Sequence, residues 1–408
     1  ALIQALMHNN EEMRLIAVGD DDQNIYQFRG SDSRYMQMLI NDFGATKYEL
    51  TDNYRSDSSI VNFSNVFVQR MANRMKTMPC FSIQKQSGEV QVIYYKSDNL
   101  EIPIVENIAN NYKNERIGVL TNTNFEAAQI VGMLNKKGIH AKLIQSAEGF
   151  RFSNLAEVRF FIKTIEKNSN SPIIKDEIWE LAKEKTLTNY ATSTCIEYIK
   201  DFWAAFERVN RTKYRSDLID FVFESNLEDF CNDDTNTILV STIHKAKGRE
   251  FDTVHILLNG EQADTEEKLR KIYVGITRAK HKLLIHTNTN IFGTPTIVNN
   301  TLYSEPDEIL LQLTHRDVFL SFFKKNKKQI LQLRSGQMLI YNEGYLNLPN
   351  STERIVSLSN KCRSELTEWN NKGYCIKNVR INYIVAWRGQ DDTEETAVLL
   401  PEIVLVKK

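Results

Sequence analysis

Between residues 238 and 287 the apolar positions of the chain change their period twice. Residues 238–241 (Ile-Leu-Val-Ser) are a short β-branched run, and residues 254–258 (Val-His-Ile-Leu-Leu) are a second. Continuous apolar runs of this length predict strands covered on both faces. From residue 266 the period becomes helical. Leu269, Ile272, Tyr273 and Ile276 fall at i, i+3, i+4 and i+7, which predicts a helix over 266–276 with one buried face. Residues 282–286 return to a strand. Between and beside these elements stand His244, Lys245, Lys247, Gly248, Glu250, Arg278 and Lys280. Cations grouped at the ends of strands and helices of an α/β layer suit a phosphate-rich ligand. Gly248 gives the backbone freedom to turn or to approach that ligand closely. For any single residue, a solvated loop charge explains the position equally well.

Upstream the pattern is similar. Residues 2–8 predict the end of an amphipathic helix, and residues 14–18 (Arg-Leu-Ile-Ala-Val) a buried strand running into Asp20, Asp21, Asp22 and Gln23. Carboxylates and an amide just past the C-terminal end of a buried strand lie where open α/β sheets bind ligands. Tyr26, Phe28 and Arg29 follow, an aromatic and cationic set that reads either as a platform for a base or as ordinary core. Residues 33–41 predict a helix with Tyr35, Met36, Leu39 and Ile40 inward, and residues 47–51 a strand. Tyr54 and Arg55 precede a helix from 58 to about 75, with Ile60, Phe63, Val66 and Phe67 on one face. Pro79 and Gly88 break the polar connection 76–90. Strands at 90–95, 117–121 and 141–144 then alternate with helices at 102–111 and 125–136. That order argues a parallel sheet with crossover helices. From 152 to 230 apolar residues recur only at helical spacing, which predicts a helical insertion within the α/β fold. Beyond a linker with Gly293 and Pro295, Pro306-Asp-Glu predicts a helix reaching Lys328. Short strands follow at 330–334, 337–341, 376–381, 383–388 and 395–406, with a helix at 359–369.

Composition narrows the class. With 408 residues the chain is long enough for about two to four domains. It is 42% hydrophobic and 25% charged, with a net charge of −1, so any nucleic-acid site must be a local patch. One candidate patch is the tail. From His315 to Gln390 there are 13 Lys or Arg against 5 Asp or Glu. That excess suits an anionic partner, and a basic face on a plain soluble β domain is the competing reading. Five cysteines without C-x-x-C spacing point to free thiols in a reducing compartment and to no zinc site. No run is long enough to span a membrane, so a cytoplasmic protein without a membrane partner is expected.

The motifs, taken in order, resemble one family. Residues 18–31 (VGDDDQNIYQFRGS) are similar to motif III of the UvrD/Rep/PcrA branch of superfamily 1 helicases. Residues 50–56 (LTDNYRS) resemble motif IV, residues 238–251 motif V and residues 273–280 (YVGITRAK) motif VI. The resemblance covers roughly residues 1–287. It implies an α/β fold of two RecA-like domains clamping ATP, with single-stranded or partly duplex DNA across their tops. The expected division is a remnant of the first RecA-like domain at 1–75, the second at 76–150 and 233–292, the helical insertion at 151–232, and a small β-barrel-like accessory domain at 300–408. An SH3 or Tudor type fits that tail, and a protein or nucleic-acid partner is expected there.

Carried onto this chain, the resemblance gives each matching residue a role. Gln23 would sense the γ-phosphate or its attacking water. Arg55 and Arg278 would contact the γ-phosphate, and Tyr54 would stack on adenine. Asp20, Gly248 and Glu250 would lie beside the nucleotide. Phe28 and Arg29 would meet DNA bases, while Thr242 and His244 would touch the DNA backbone. Two departures matter. No G-x-x-x-x-G-K-[ST] occurs, nor any Asp-Glu pair after a strand upstream of Asp20. The expectation is therefore the C-terminal part of a longer ATP-dependent DNA helicase of 3′ to 5′ direction, serving repair or replication. ATP and Mg2+ would serve the complete protein, with none tightly held and no hydrolysis here. The insertion also looks short for the family. A non-catalytic binding module with a helicase-like fold is the alternative. A dinucleotide enzyme is disfavoured because no G-x-G-x-x-G follows a strand.

Overall fold

In the computed structural model the structure describes residues 5–7, 9–10, 12–27, 30–111, 115–143, 151–230, 237–389 and 392–408. Residues 5–7 are helical, and residues 12–18 are irregular and mostly exposed. Ile16 is 89% exposed and Val18 83%, so the buried strand expected at 14–18 does not form. Among the described residues no strand runs beside it to complete a ladder or cover its faces. A single 3₁₀ turn, Asp21–Gln23, follows. Helix α1 (Arg34–Asn41) buries none of its residues, and Tyr35 points outward, against the expectation of an inward face. Residues 47–51 are likewise irregular, and the strand there is β1 (Asp52–Asn53), paired in parallel with β2 (Phe81–Ser82). Between them α2 (Ser58–Val68) stops well short of 75, burying Ile60 and Phe67 but exposing Val66.

The parallel sheet expected from the strand and helix alternation is present. Its strands are β3 (Glu89–Tyr95), β4 (Ile117–Thr121), β5 (Ala141–Leu143), β8 (Ile238–Thr242), β9 (Phe251–Leu258), β10 (Ala279–Thr287) and β11 (Ile297–Asn299). Residue 144, expected to end β5, lies outside the described residues. Spatial order is β11-β3-β10-β9-β4-β8-β5, and every pairing is parallel. Helices α3 (Glu101–Asn111) and α4 (Asn124–Lys136) follow β3 and β4. A reciprocal cap fixes the start of α4: Glu126 N donates to Thr123 Oγ1 at 3.2 Å, and Thr123 N donates to Glu126 Oε2 at 2.8 Å. Strand alternation divides the core. Val254, Ile256, Leu283 and Ile285 pack with α2 and with α9 (Glu266–Ile276) on one face. Leu257, Leu284, Val119 and Val240 pack with α3 and α4 on the other. Gly118 permits a close approach in the centre, since a Cβ there would lie 2.5 Å from the Phe251 ring.

The insertion after β5 is helical, with α5 (Ala156–Asn168), α6 (Asp176–Asn189), α7 (Ile196–Val209) and α8 (Arg215–Glu224). It also holds a two-stranded antiparallel pair, β6 (Ile173–Ile174) with β7 (Lys213–Tyr214). Its aromatic centre, Trp179, Phe161, Phe202 and Phe206, is continuous with the core of the C-terminal region. Insertion and tail thus share one interior although the sequence separates them by the end of the parallel sheet.

The tail corrects three expectations. Residues 306–328 are not one helix. They open with β12 (Glu308–Gln312), and only the short helices α10 (Leu320–Phe323) and α11 (Lys327–Ile330) follow. Ile309, Leu311 and Leu313 are buried in alternation, a period of two that outweighs the Pro-Asp-Glu start signal. The strand expected at 330–334 is absent, its start absorbed by α11. Strands β13 (Met338–Asn342), β14 (Tyr345–Asn347) and β15 (Arg354–Ser357) precede α12 (Asn360–Asn371). The two strands expected at 376–388 are one bulged strand, β16 (Tyr374–Trp387), paired with β17 (Thr396–Lys407). The result is a curled antiparallel sheet of order β12-β17-β16-β13-β14-β15. Its edge strands β12 and β15 do not pair with each other among the described residues. Among those residues, too, no helix is long and apolar enough to cross a membrane.

Candidate nucleotide site

The loop after β1 is folded by its own side chains. Asn53 Oδ1 accepts from the amides of Arg55 (3.0 Å) and Ser56 (2.9 Å), an Asx-type turn that throws Arg55 forward. Ser56 Oγ donates to Ala279 O at 2.6 Å and Asp57 N to Lys280 O at 2.8 Å, which strap the loop to the start of β10. Arg55 then reaches Glu250 Oε2 at 2.9 Å through Nε and the Thr277 carbonyl at 3.1 Å through Nη1. Lys280 Nζ holds the other Glu250 oxygen at 2.7 Å. Lys280 and Arg55 together keep the Glu250 carboxyl below its ordinary range.

Arg278 is the buried centre of the cluster, 2% exposed. Its Nη2 donates to Gln23 Oε1 at 2.8 Å, its Nε to Val274 O at 2.9 Å and its Nη1 to Arg249 O at 3.3 Å. Burial, then the charge of Arg55, lowers its pKa to about 10, which leaves it a cation at neutral pH. Gln23 in turn donates to Asp20 Oδ2 at 2.7 Å. Five residues singled out from the sequence therefore meet: Asp20, Gln23, Arg55, Glu250 and Arg278. They gather at the N-terminal ends of β9 and β10, not at the C-terminal strand ends where such sites were expected. Tyr54, beside them in sequence, is 69% exposed, and its carbonyl accepts from the Gln84 side chain. Gly248 has φ of +91° and open space where a side chain would stand.

Thr242 and His244 lie apart from this cluster. Thr242 closes the C-terminal end of β8, the opposite end of the sheet. A short chain links the two ends. Lys247 Nζ donates to the Gln23 carbonyl at 2.8 Å and stands 5.2 Å from the Tyr26 ring centroid. The Tyr26 hydroxyl donates to the His244 carbonyl at 3.0 Å. Burial, then Arg278, lowers the Lys247 pKa. Lys247 and Lys280 stand among the cations of the sequence, but no role falls on them from the motifs alone. For Lys280 a signal existed, because it stands two residues beyond Arg278 at the start of a strand. Phe28 and Arg29 lie outside the described residues.

Asp20, Asp21 and Asp22 bring carboxylate oxygens within 4.8 Å of one another. Each already serves the protein. Asp22 is fully buried against Arg74, at 2.9 and 2.8 Å. Asp21 accepts from Met75 N at 2.7 Å, and Asp20 holds Gln23. Most of these oxygens position the turn, while Asp20 Oδ1 is buried without a hydrogen-bond partner among the described residues, 3.8 Å from Lys76 Nζ.

At one end of the parallel sheet, two arginines, a lysine and a glutamate thus form a paired cluster whose cations suit an anionic group. Comparison with known proteins names the family. The family described as UvrD-like helicase C-terminal domain matches residues 48–176 and 167–290, and the UvrD/REP helicase N-terminal domain matches residues 1–44. The chain belongs to the UvrD-like helicase family. It is 26% identical over 325 residues to Gabija protein GajB of Bacillus cereus, covering 74% of this chain and 61% of that protein. To the putative ATP-dependent DNA helicase YjcD of Bacillus subtilis it is 23% identical over 374 residues, covering 69% and 49%. To the ATP-dependent DNA helicase Rep of Buchnera aphidicola it is 22% identical over 385 residues, covering 69% and 59%. The chain thus spans about half to three-fifths of the length of these relatives.

Proposed function

We propose that this chain is the C-terminal part of an ATP-dependent DNA helicase or translocase, moving 3′ to 5′ on single-stranded DNA in repair or replication. The observation that carries the reading is the Arg278–Gln23 hydrogen bond of 2.8 Å, made beside the Arg55–Glu250 pair. It joins the residues of motifs III, IV, V and VI at one point. In this reading the sheet 89–287 is one RecA-like domain and residues before 75 belong to the other. Arg55 and Arg278 meet the γ-phosphate, where fixed cations stabilise charge developing in phosphoryl transfer. Gln23 orients the attacking water from its bond to Arg278. Tyr54 stacks on adenine, and Asp20, Gly248 and Glu250 flank the nucleotide. Thr242, His244, Phe28 and Arg29 serve the DNA, and Lys247 with Tyr26 ties the two ends together. ATP phosphates fit this cation set. Beside it Asp20 Oδ1 is buried without a hydrogen-bond partner among the described residues, while Asp21 and Asp22 hold Met75 N and Arg74. Mg2+ would supply charge neutralisation for the phosphates in the complete protein, and no step here runs through it.

The test is ATP hydrolysis with and without single-stranded DNA, on this chain and on a form extended upstream through a phosphate loop. The expected result is DNA-stimulated hydrolysis in the extended form alone. Arg278→Ala in that form should lower turnover about 10³-fold with nucleotide binding largely kept. Near-normal turnover removes the assignment of Arg278. A second reading, a binding module without turnover, is favoured by the absence of G-x-x-x-x-G-K-[ST] from the sequence. Inactivity of both forms would put it first.

A further inference from the structure

The C-terminal ends of β3, β4 and β9 open into a cleft of about 270 Å³, on the far side of the sheet from Arg55 and Arg278. Asp98 and Glu101 line it below, and Glu305 and Trp369 close it from the tail. Phe125 stacks on Trp369 with ring centroids 5.8 Å apart. The wall carries carboxylates, amides and aromatic rings, and none of its lining residues is a cation. Glu101 is 7% exposed, and the amide of Leu100 is 3.2 Å from its Oε2. Among the described residues neither Glu101 nor Asp98 has an ion-pair partner. Tyr303 packs edge-on against Tyr95, and Tyr95 bonds into a buried neutral histidine pair. At the rim the same chemistry already receives one cation, since Lys372 Nζ lies 4.6 Å over Trp369 and 3.8 Å from Glu305.

We propose that this cleft receives the guanidinium of an arginine side chain from a partner protein. A buried carboxylate with free acceptor capacity and flat aromatic walls match a planar donor fork better than a point ammonium charge. The volume suits one side chain and is below that of a usual nucleotide or drug-sized pocket. The acidic lining repels nucleic-acid phosphates. Burial raises the Glu101 pKa and the neighbouring Glu126 adds to it, while backbone amides at the start of α3 offset part of the cost; an incoming cation would supply the charge partner that the described residues lack.

Trp369 supplies the readout, through tryptophan fluorescence with calorimetry alongside. The probes are acetyl-Gly-Arg-Gly-amide, its Gln counterpart and spermidine, each titrated into this chain. Saturable binding of the arginine peptide alone is expected. Glu101→Gln and Asp98→Asn should each weaken it about tenfold, the scale of one charge-assisted hydrogen bond. Asp98 is exposed, so that variant tests the site without threatening the fold. No saturable binding, binding unchanged in both variants, or binding of spermidine alone would each overturn the proposal.

Discussion

Two apolar runs of the same kind meet opposite fates in this molecule. Ile238, Leu239 and Val240 are at most 1% exposed, while Ile16 is 89% exposed and Val18 83%. The difference lies in their neighbours. The first run forms β8 between β4 and β5, with helices over both faces of the sheet. The second has no strand beside it among the described residues, and Tyr48 and Leu50 nearby are exposed as well. An apolar β-branched run therefore records a demand for two covered faces, and only partner strands satisfy it.

The sharpest test of this contrast is a matched pair of truncations. Ile256→Ala, at a fully buried position of β9, should cost about 2–5 kcal/mol in urea unfolding. Ile16→Ala should stay within about 0.5 kcal/mol. A loss above about 1 kcal/mol at Ile16 would mean that the segment packs in solution, and the contrast would fail.

The same reasoning explains what could be read in advance. Strand 117–121 and helix 266–276 were legible to the residue, because a central strand and a Thr265-capped helix take their bounds from local signals. Residues 306–328 carry two conflicting signals, a Pro-Asp-Glu helix start and the alternation of Ile309, Leu311 and Leu313, and the alternation prevails in β12. The members of the cation cluster could be named, but not their meeting. Arg278 and Gln23 are 255 residues apart, and no spacing within either motif encodes that bond. Neither could the pattern show that the helical insertion and the tail share one core.

A smaller effect probes the sheet's own interior. His255 and His286 read from the sequence as ordinary strand positions, yet they stack in the core, with His255 Nδ1 3.1 Å from His286 Nε2 and the Tyr95 hydroxyl 2.9 Å from His286 Nδ1. Burial lowers the His255 pKa to about 3, and that of His286 also lies well below 6.5. Both rings stay neutral in the fold, while the unfolded chain takes up their protons below about pH 6.5. Stability therefore falls as pH drops from about 6.5 toward 3, by up to about 1.4 kcal/mol per pH unit for each histidine. His255→Gln should make that slope shallower by about one proton in unfolding measured between pH 6 and 4. An unchanged slope would mean that the pair takes up protons within the fold.

The smallest effect concerns the tail, where charge counting and structure disagree. The excess of 13 cations over 5 acids between His315 and Gln390 belongs to that window. Over residues 300–408 the count is 15 Lys or Arg against 13 Asp or Glu. The acids outside the window are the partners: Lys324 pairs with Asp392, Lys327 with Glu394, Lys377 with Glu308 and Arg380 with Glu402. A cation already paired gains less from a phosphate, since it must first leave its carboxylate. Replacing Lys324 and Lys327 together by Ala should thus leave the salt dependence of any DNA binding nearly unchanged. Two true phosphate contacts would instead flatten the log–log slope by about 1.4 to 1.8. A drop of that size would show that the tail gives up its internal pairs to bind nucleic acid. An unchanged slope would leave the tail's interactions to surfaces such as the cleft at Trp369.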